Sequence, residues 1–123
     1  VIHLDTSVLV DAFSGDMRSA MQVRKRLEQG ERIFLSTPVL YEWLRGPRRS
    51  EEIRALEGLF PSEAAVVFGP QEAVLAAELY RTVRRARGRE IDLAIAACAL
   101  TYGAALWTLN HQDFRDIPDL TLV

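Results

Sequence analysis

The sequence predicts an α/β fold in which helices cover both faces of a parallel sheet. Two observations carry this expectation. Short apolar runs alternate along the chain with longer segments of helical periodicity, the arrangement of strand–helix–strand units. The runs are also continuously apolar rather than alternating, as strands buried on both faces require.

The elements follow in order. The first run, 1–5 (VIHLD), leads through Asp5-Thr6-Ser7 into a helix over 6–13. A second helix is expected over 17–29, stopped by Gly30. The run 33–36 (IFLS) is followed by Thr37-Pro38, which reads as an N-cap and a first-turn proline opening a helix over 37–46. Gly46 stands where that helix should stop. Further helices are expected over 50–60, 70–87 and 91–102, the last ended by Gly103, and further strands over 65–68 (AVVF), 104–108 (AALWT) and 120–123 (LTLV). The 123 residues form one domain, 1–123, with no internal repeat. The polar stretch 47–52 is too short to divide it.

Composition narrows the function classes. An apolar share of 49% with 26% charged residues fits a globular chain and excludes intrinsic disorder. Fifteen basic against seventeen acidic residues give a net charge of −2. A general polyanion binder is usually basic, so any nucleic-acid role must rest on local patches. The basic set is fourteen Arg and one Lys, and arginine is the better bidentate phosphate binder. The single cysteine, Cys98, has no internal disulfide partner and suits a reducing compartment. No run is long enough to span a bilayer, and Val1–Asp5 lacks a signal peptide's basic start and long apolar stretch. The expectation is a cytoplasmic protein with no membrane role.

Four acids stand out by position. In an open parallel sheet, ligands bind beyond the carboxyl ends of the strands, where strand order reverses. Asp5 lies at such an end, and Thr108, Asn110 and Asp113 follow the fourth strand. Asp5 also fits an ordinary turn or capping aspartate. Glu42 lies beside the apolar face of its helix, where a solvated carboxylate is the simpler reading. Asp92 opens a helix, IDLAIAACAL, that is apolar nearly all round. It shares a face with Ile95, Ala96 and Ala99, so it stands against core residues. The helix dipole favours an acid there, yet a carboxylate in an apolar setting needs a partner, and a cation is one solution. Asp113 alone reads as a loop acid. Asp116 and Asp119 read as solvated tail acids, with Glu90 as a reserve candidate.

Convergent carboxylates are what magnesium and manganese prefer, since both take oxygen ligands and keep several waters. Such an ion activates water and polarises a phosphate. His3, His111 and Cys98 have no zinc-binding spacing, and no Ser or Cys has a paired base nearby. Trp43 and Trp107 fall in apolar patterns and read as core.

The segments VIHLDTSVLVD (1–11), TPVLYEWLRG (37–46), IDLAIAACA (91–99) and TLNHQDF (108–114) together resemble the PIN-domain nucleases, in particular the VapC toxins of toxin–antitoxin pairs. The likeness runs in order and spacing through nearly the whole chain. It implies a three-layer α/β/α sandwich with a five-stranded parallel sheet ordered 3-2-1-4-5, which would place Asp5 and Asp113 together. It also implies Mg²⁺- or Mn²⁺-dependent cleavage of RNA, a small cognate antitoxin as partner, and a homodimer. By position, Asp5 and Asp92 would be direct metal ligands. Glu42 would bind through water or orient the nucleophile, and Asp113 would complete the pocket. Thr6, Thr108 and Asn110 would support these acids. Between Gly88 and Asp92 stand only Arg89-Glu90-Ile91, shorter than in many relatives.

Arg81, Arg84, Arg85, Arg87 and Arg89 crowd the end of one expected helix, the first three on one face. They fit a solvated helix end, or, with Arg45, Arg48 and Arg49, a phosphate-binding surface for RNA. Two other doubly wound classes fit less well. A receiver-like domain would want an acid after the third strand, where Phe68-Gly69 stand, and a dehalogenase-like phosphatase would want Asp-x-Asp where Asp5-Thr6-Ser7 stand. A non-catalytic nucleic-acid- or antitoxin-binding module on the same fold stays open.

Overall fold

The computed structural model describes all of residues 1–123. Its centre is β1 (Ile2–Leu4), paired in parallel with β2 (Ile33–Phe34) on one side and β3 (Ala105–Trp107) on the other. Registers Ile2↔Ile33 and Leu4↔Trp107 bring the carboxyl ends of β1 and β3 side by side. Every residue of β1 is buried, His3 included, as the central strand of a sheet covered on both faces must be.

The expected sheet of five strands is here a sheet of three. The outer two runs lie beside their expected neighbours but contribute one parallel bridge each, Ser36↔Val66 and Leu106↔Leu122. Val66 exchanges two backbone hydrogen bonds, donating to Leu35 (2.9 Å) and accepting from Thr37 (2.9 Å). Leu106 likewise donates to Thr121 and accepts from Val123, both at 2.8 Å. Neither run extends further. The first is squeezed between the Ser62–Ala64 turn and Pro70, and the second begins after Asp119, whose φ is +65°.

Six helices surround the sheet: α1 (Thr6–Phe13), α2 (Ala20–Glu28), α3 (Thr37–Leu44), α4 (Ser50–Leu59), α5 (Pro70–Thr82) and α6 (Glu90–Thr101). α1 packs against α2, α3 and α4, while α6 packs against α3, α5 and β3. Gly30 and Gly103 end α2 and α6 in the left-handed region, at φ of +86° and +62°. Several expected boundaries move: α2 starts at Ala20 rather than 17, and α3 ends at Leu44 rather than 46. Ser36, not Thr37, precedes α3, and the Thr37 hydroxyl instead accepts the Phe68 N–H at 3.1 Å. α5 stops at Thr82, not residue 87, because Val83 is extended and the Thr82 hydroxyl turns back onto Glu78 O at 3.1 Å.

Val8, Leu9, Leu93, Ile95, Leu106 and Phe114 are fully buried in one core with Trp43, each such side chain favouring the fold by about 1.5–3 kcal/mol. Trp107 is half-buried against that core, with the Arg26 guanidinium 5.0 Å over its ring. His3 is wholly buried, edge-on to Phe34 at 4.9 Å, and neither ring nitrogen has a partner. Burial pushes its pKa down to about 3, so the ring is neutral. No helix is long and apolar enough to cross a membrane.

Candidate active site

The carboxyl end of β1 delivers Asp5 to the start of α1. Asp5 occupies the N-cap position, but its side chain makes no cap bond. Instead Oδ2 accepts hydrogen bonds from the hydroxyls of Thr108 at 2.7 Å and Ser7 at 2.9 Å. The backbone performs the capping, since Asp5 O accepts the N–H groups of Val8 and Leu9. Asp5 is therefore held as a buried acid with Oδ1 free of both hydroxyls, and only 4% of it is exposed. Burial raises its pKa, and the Thr108 and Ser7 hydroxyls pull it back.

Glu42 comes from α3, Asp92 from the first turn of α6, and Asp113 from the short turn His111–Asp113 that follows β3. All four acids line one open cleft of about 670 Å³, in which Val10 is the only hydrophobic residue. Asp92 is pushed up to about 6 by burial, then by the charges of Asp5, Glu42 and Asp113. Such crowding raises a carboxylate wherever like charges share a site. No three His, Cys, Asp or Glu side chains converge tightly enough to form a ready-made metal cage. A hydrated ion such as Mg²⁺, which takes one or two direct carboxylates and keeps several waters, would need no such cage.

The supporting residues divide. Thr108 is buried and holds Asp5 directly, while accepting the Asn110 N–H at 3.0 Å. Asn110 thus acts through its main chain, and it also lines the cleft. Thr6 lines the cleft too, but its buried hydroxyl has no partner and does not touch Asp5. Ser7 does that work and escaped the sequence reading. It donates to Asp5 and accepts the Leu109 N–H at 3.0 Å, tying the two strand ends together. Its signal was its place two residues after the strand-end acid.

The arginines separate sharply. Arg45 and Arg48 line the cleft. Arg45 reaches within 3.6 Å of Glu42 Oε2. The Arg48 guanidinium lies 4.8 Å over Trp43 and close against Gly46, where an added Cβ would come within 3.1 Å of Nη2. Arg49 is engaged with Glu51 and Glu52. Arg84 and Arg85 do not share a helix face with Arg81, because they fall in the turn after α5, where Arg85 has a φ of +52°. Both are exposed and neither lines the cleft. Arg89 is bound into the fold by a two-pronged pair with Asp116.

The acids of the cleft thus come from the end of β1, from α3 and α6, and from the turn after β3, over a parallel core of three strands. The sequence profile of the PIN domain matches residues 2–120, and the chain belongs to that family. Ribonuclease VapC19 of Mycobacterium tuberculosis is 34% identical over 119 residues, covering 95% of this chain and 94% of that protein. Ribonuclease VapC1 of Methanocaldococcus jannaschii is 31% identical over 127 residues, covering 98% and 84%. Among solved structures, the DNA-bound VapBC of Salmonella typhimurium superposes with a TM-score of 0.74 at 22% identity, covering 99% of this chain and 96% of that one. A toxin–antitoxin complex from Klebsiella pneumoniae gives 0.72 at 24% identity, covering 100% and 96%. Those two likenesses bear on the fold.

Proposed function

We propose that this chain is a divalent-metal-dependent ribonuclease and the toxin of a VapBC-type pair. The observation that carries the reading is the convergence of Asp5, Glu42, Asp92 and Asp113 from four separate elements on one polar cleft. Support also comes from the two relatives named ribonucleases over nearly the whole chain. Asp5 also ties β1 to β3 through Thr108, but crowding four acids into one cleft works against the fold through their mutual repulsion. A bound cation would relieve that repulsion.

Asp5 and Asp92 are the residues we assign to hold Mg²⁺ or Mn²⁺ directly. When bound, such an ion supplies Lewis-acid polarisation of a phosphate oxygen and eases ionisation of water. Thr108 and Ser7 fix the Asp5 carboxylate so that one face is presented to the cleft. Glu42 and Asp113 would orient the attacking water, and one of them would accept its proton as the water oxygen bonds to phosphorus. The ribose oxygen–phosphorus bond breaks, the departing ribose oxygen taking a proton from solvent. Arg45 and Arg48 receive flanking phosphates. The pre-set guanidinium of Arg48 loses little freedom on binding.

A small antitoxin as partner is supported by the toxin–antitoxin complex among the structural relatives. Exposed apolar side chains such as Tyr41, Val67 and Val74 leave surface for contacts of this kind and for a homodimer. A cytoplasmic site of action belongs to the same reading. The test is cleavage of an RNA panel with Mn²⁺ or Mg²⁺, with Asp5→Asn and Asp92→Asn as controls. Binding without cleavage would favour the non-catalytic module.

A further inference from the structure

We propose that Arg89 is a positioning residue that clamps the loop carrying Asp113 to the start of the helix carrying Asp92. This rests on the nuclease reading above. Arg89 is the N-cap residue of α6, three positions before Asp92. Its Nη1 donates to Arg84 O at 3.0 Å and to Asp116 Oδ2 at 2.9 Å. Its Nη2 donates to Asp113 O at 2.9 Å and to Asp116 Oδ1 at 2.6 Å. One guanidinium thus joins the turn after α5, the start of α6 and the segment after β3.

A phosphate-binding arginine needs its fork free. Here both prongs are committed to Asp116, a geometry that is specific as well as strong, and the side chain is only 19% exposed. The tie reaches a residue with few polar contacts of its own. Asp113 is exposed, sits in a three-residue turn, and its own N–H bonds only locally to Asn110 O at 3.0 Å. Phe114 anchors the segment in the core, and Arg89 supplies the hydrogen bond that ties the Asp113 main chain to the start of α6. Asp116 becomes the counter-anchor that holds the clamp shut, and it is itself lowered by Arg89.

The experiment compares the full chain with Arg89→Lys, Asp116→Asn and the double variant. Three readouts are taken: hydrogen exchange over residues 109–117 without metal, Mn²⁺ affinity by calorimetry, and kcat and KM for RNA. The clamp predicts faster exchange in both single variants, with Mn²⁺ affinity and kcat each reduced ~10-fold. KM should stay within about twofold, and the double variant should be no worse than either single one. A phosphate contact would instead raise KM in Arg89→Lys and leave Asp116→Asn near wild type, which overturns the proposal. Unchanged exchange overturns it, and so does faster exchange with Mn²⁺ affinity and kcat intact. Asp116→Asn keeps the test alive if Arg89→Lys does not fold. A wild type that neither cuts RNA nor binds Mn²⁺ sinks the nuclease reading and the clamp together. Failure of the clamp alone shows as an active wild type with indistinguishable variants.

Discussion

Thr108 donates its hydroxyl proton to Oδ2 of Asp5 at 2.7 Å, joining residues 103 positions apart in the chain. The Asn110 N–H, at 3.0 Å from the same hydroxyl oxygen, leaves that proton directed at the acid. This pair is where fold and site meet, because it fixes β1 to β3 at the end of the sheet that opens on the cleft.

Thr108→Val keeps the shape of the side chain and removes the donor. It should cost about 1–2 kcal/mol of stability, since Asp5 loses one of two buried hydrogen bonds. If Asp5 holds the proposed ion, cleavage should fall ~10-fold, the usual cost of removing a group that orients a metal ligand. Losing the bond raises the Asp5 pKa further, so the acid limb of the pH–rate profile should move to higher pH. Urea unfolding and a pH–rate profile check this; an unmoved acid limb contradicts it.

Asp92 makes a pH-dependent prediction with a definite sign. Its folded pKa of about 6 lies above the ordinary value, so charging it costs stability as pH rises from about 4 to 6. The full shift corresponds to about 3 kcal/mol, which solvent screening in an open cleft reduces to about 1–2 kcal/mol. Metal-free Asp92→Asn should therefore melt several degrees above wild type at pH 8 and together with it at pH 4. Mn²⁺ should raise the wild-type Tm at pH 8 and leave the variant nearly unchanged. Thermal melts at the two pH values decide it, and an equal Tm difference at both would contradict the account.

His3 gives the opposite sign. The unfolded chain takes up a proton below pH 6.5, whereas the buried ring resists until about pH 3. Stability attributable to His3 therefore falls by about 1.4 kcal/mol per pH unit as pH drops through that window. His3→Leu should gain about that much on wild type between pH 5.5 and 4.5. Parallel stability curves from urea unfolding would show that the ring is not buried neutral.

Arg48 and the Arg84/Arg85 pair separate two readings of the basic surface. Arg48→Ala should weaken RNA binding and lower the slope of log affinity against log salt by about 0.7, the release expected for one phosphate on a single strand. Joint reversal of Arg84 and Arg85 to Glu should have the smaller effect per charge, since neither lines the cleft. Filter binding across a salt series checks the order, and the reverse order would return the phosphate surface to the turn after α5.

Much of this was legible in the chain. Apolar VIHLD ending in an acid placed Asp5 at a strand end, and the all-apolar helix around Asp92 placed that acid against the core. Both follow from local pattern. What pattern could not convey was contact between distant segments. The outer runs AVVF and LTLV have strand composition, but neighbouring turns leave each with a single bridge. Arg84 and Arg85 match helical spacing, yet Val83 breaks the helix before them. Arg89 reads as one more exposed cation until Asp116, 27 positions away, is seen to hold it. Ser7 likewise gains its meaning from Thr108 and Leu109 across the sheet.

The most direct test of the nuclease reading is cleavage of a broad RNA panel by the purified chain with Mn²⁺, beside Asp5→Asn and Asp92→Asn proteins shown to be folded. The account predicts defined cleavage by the wild type, abolished by EDTA, restored by Mn²⁺, and reduced at least ~100-fold in each variant. Cleavage that persists in EDTA, or that survives in both variants, would contradict it.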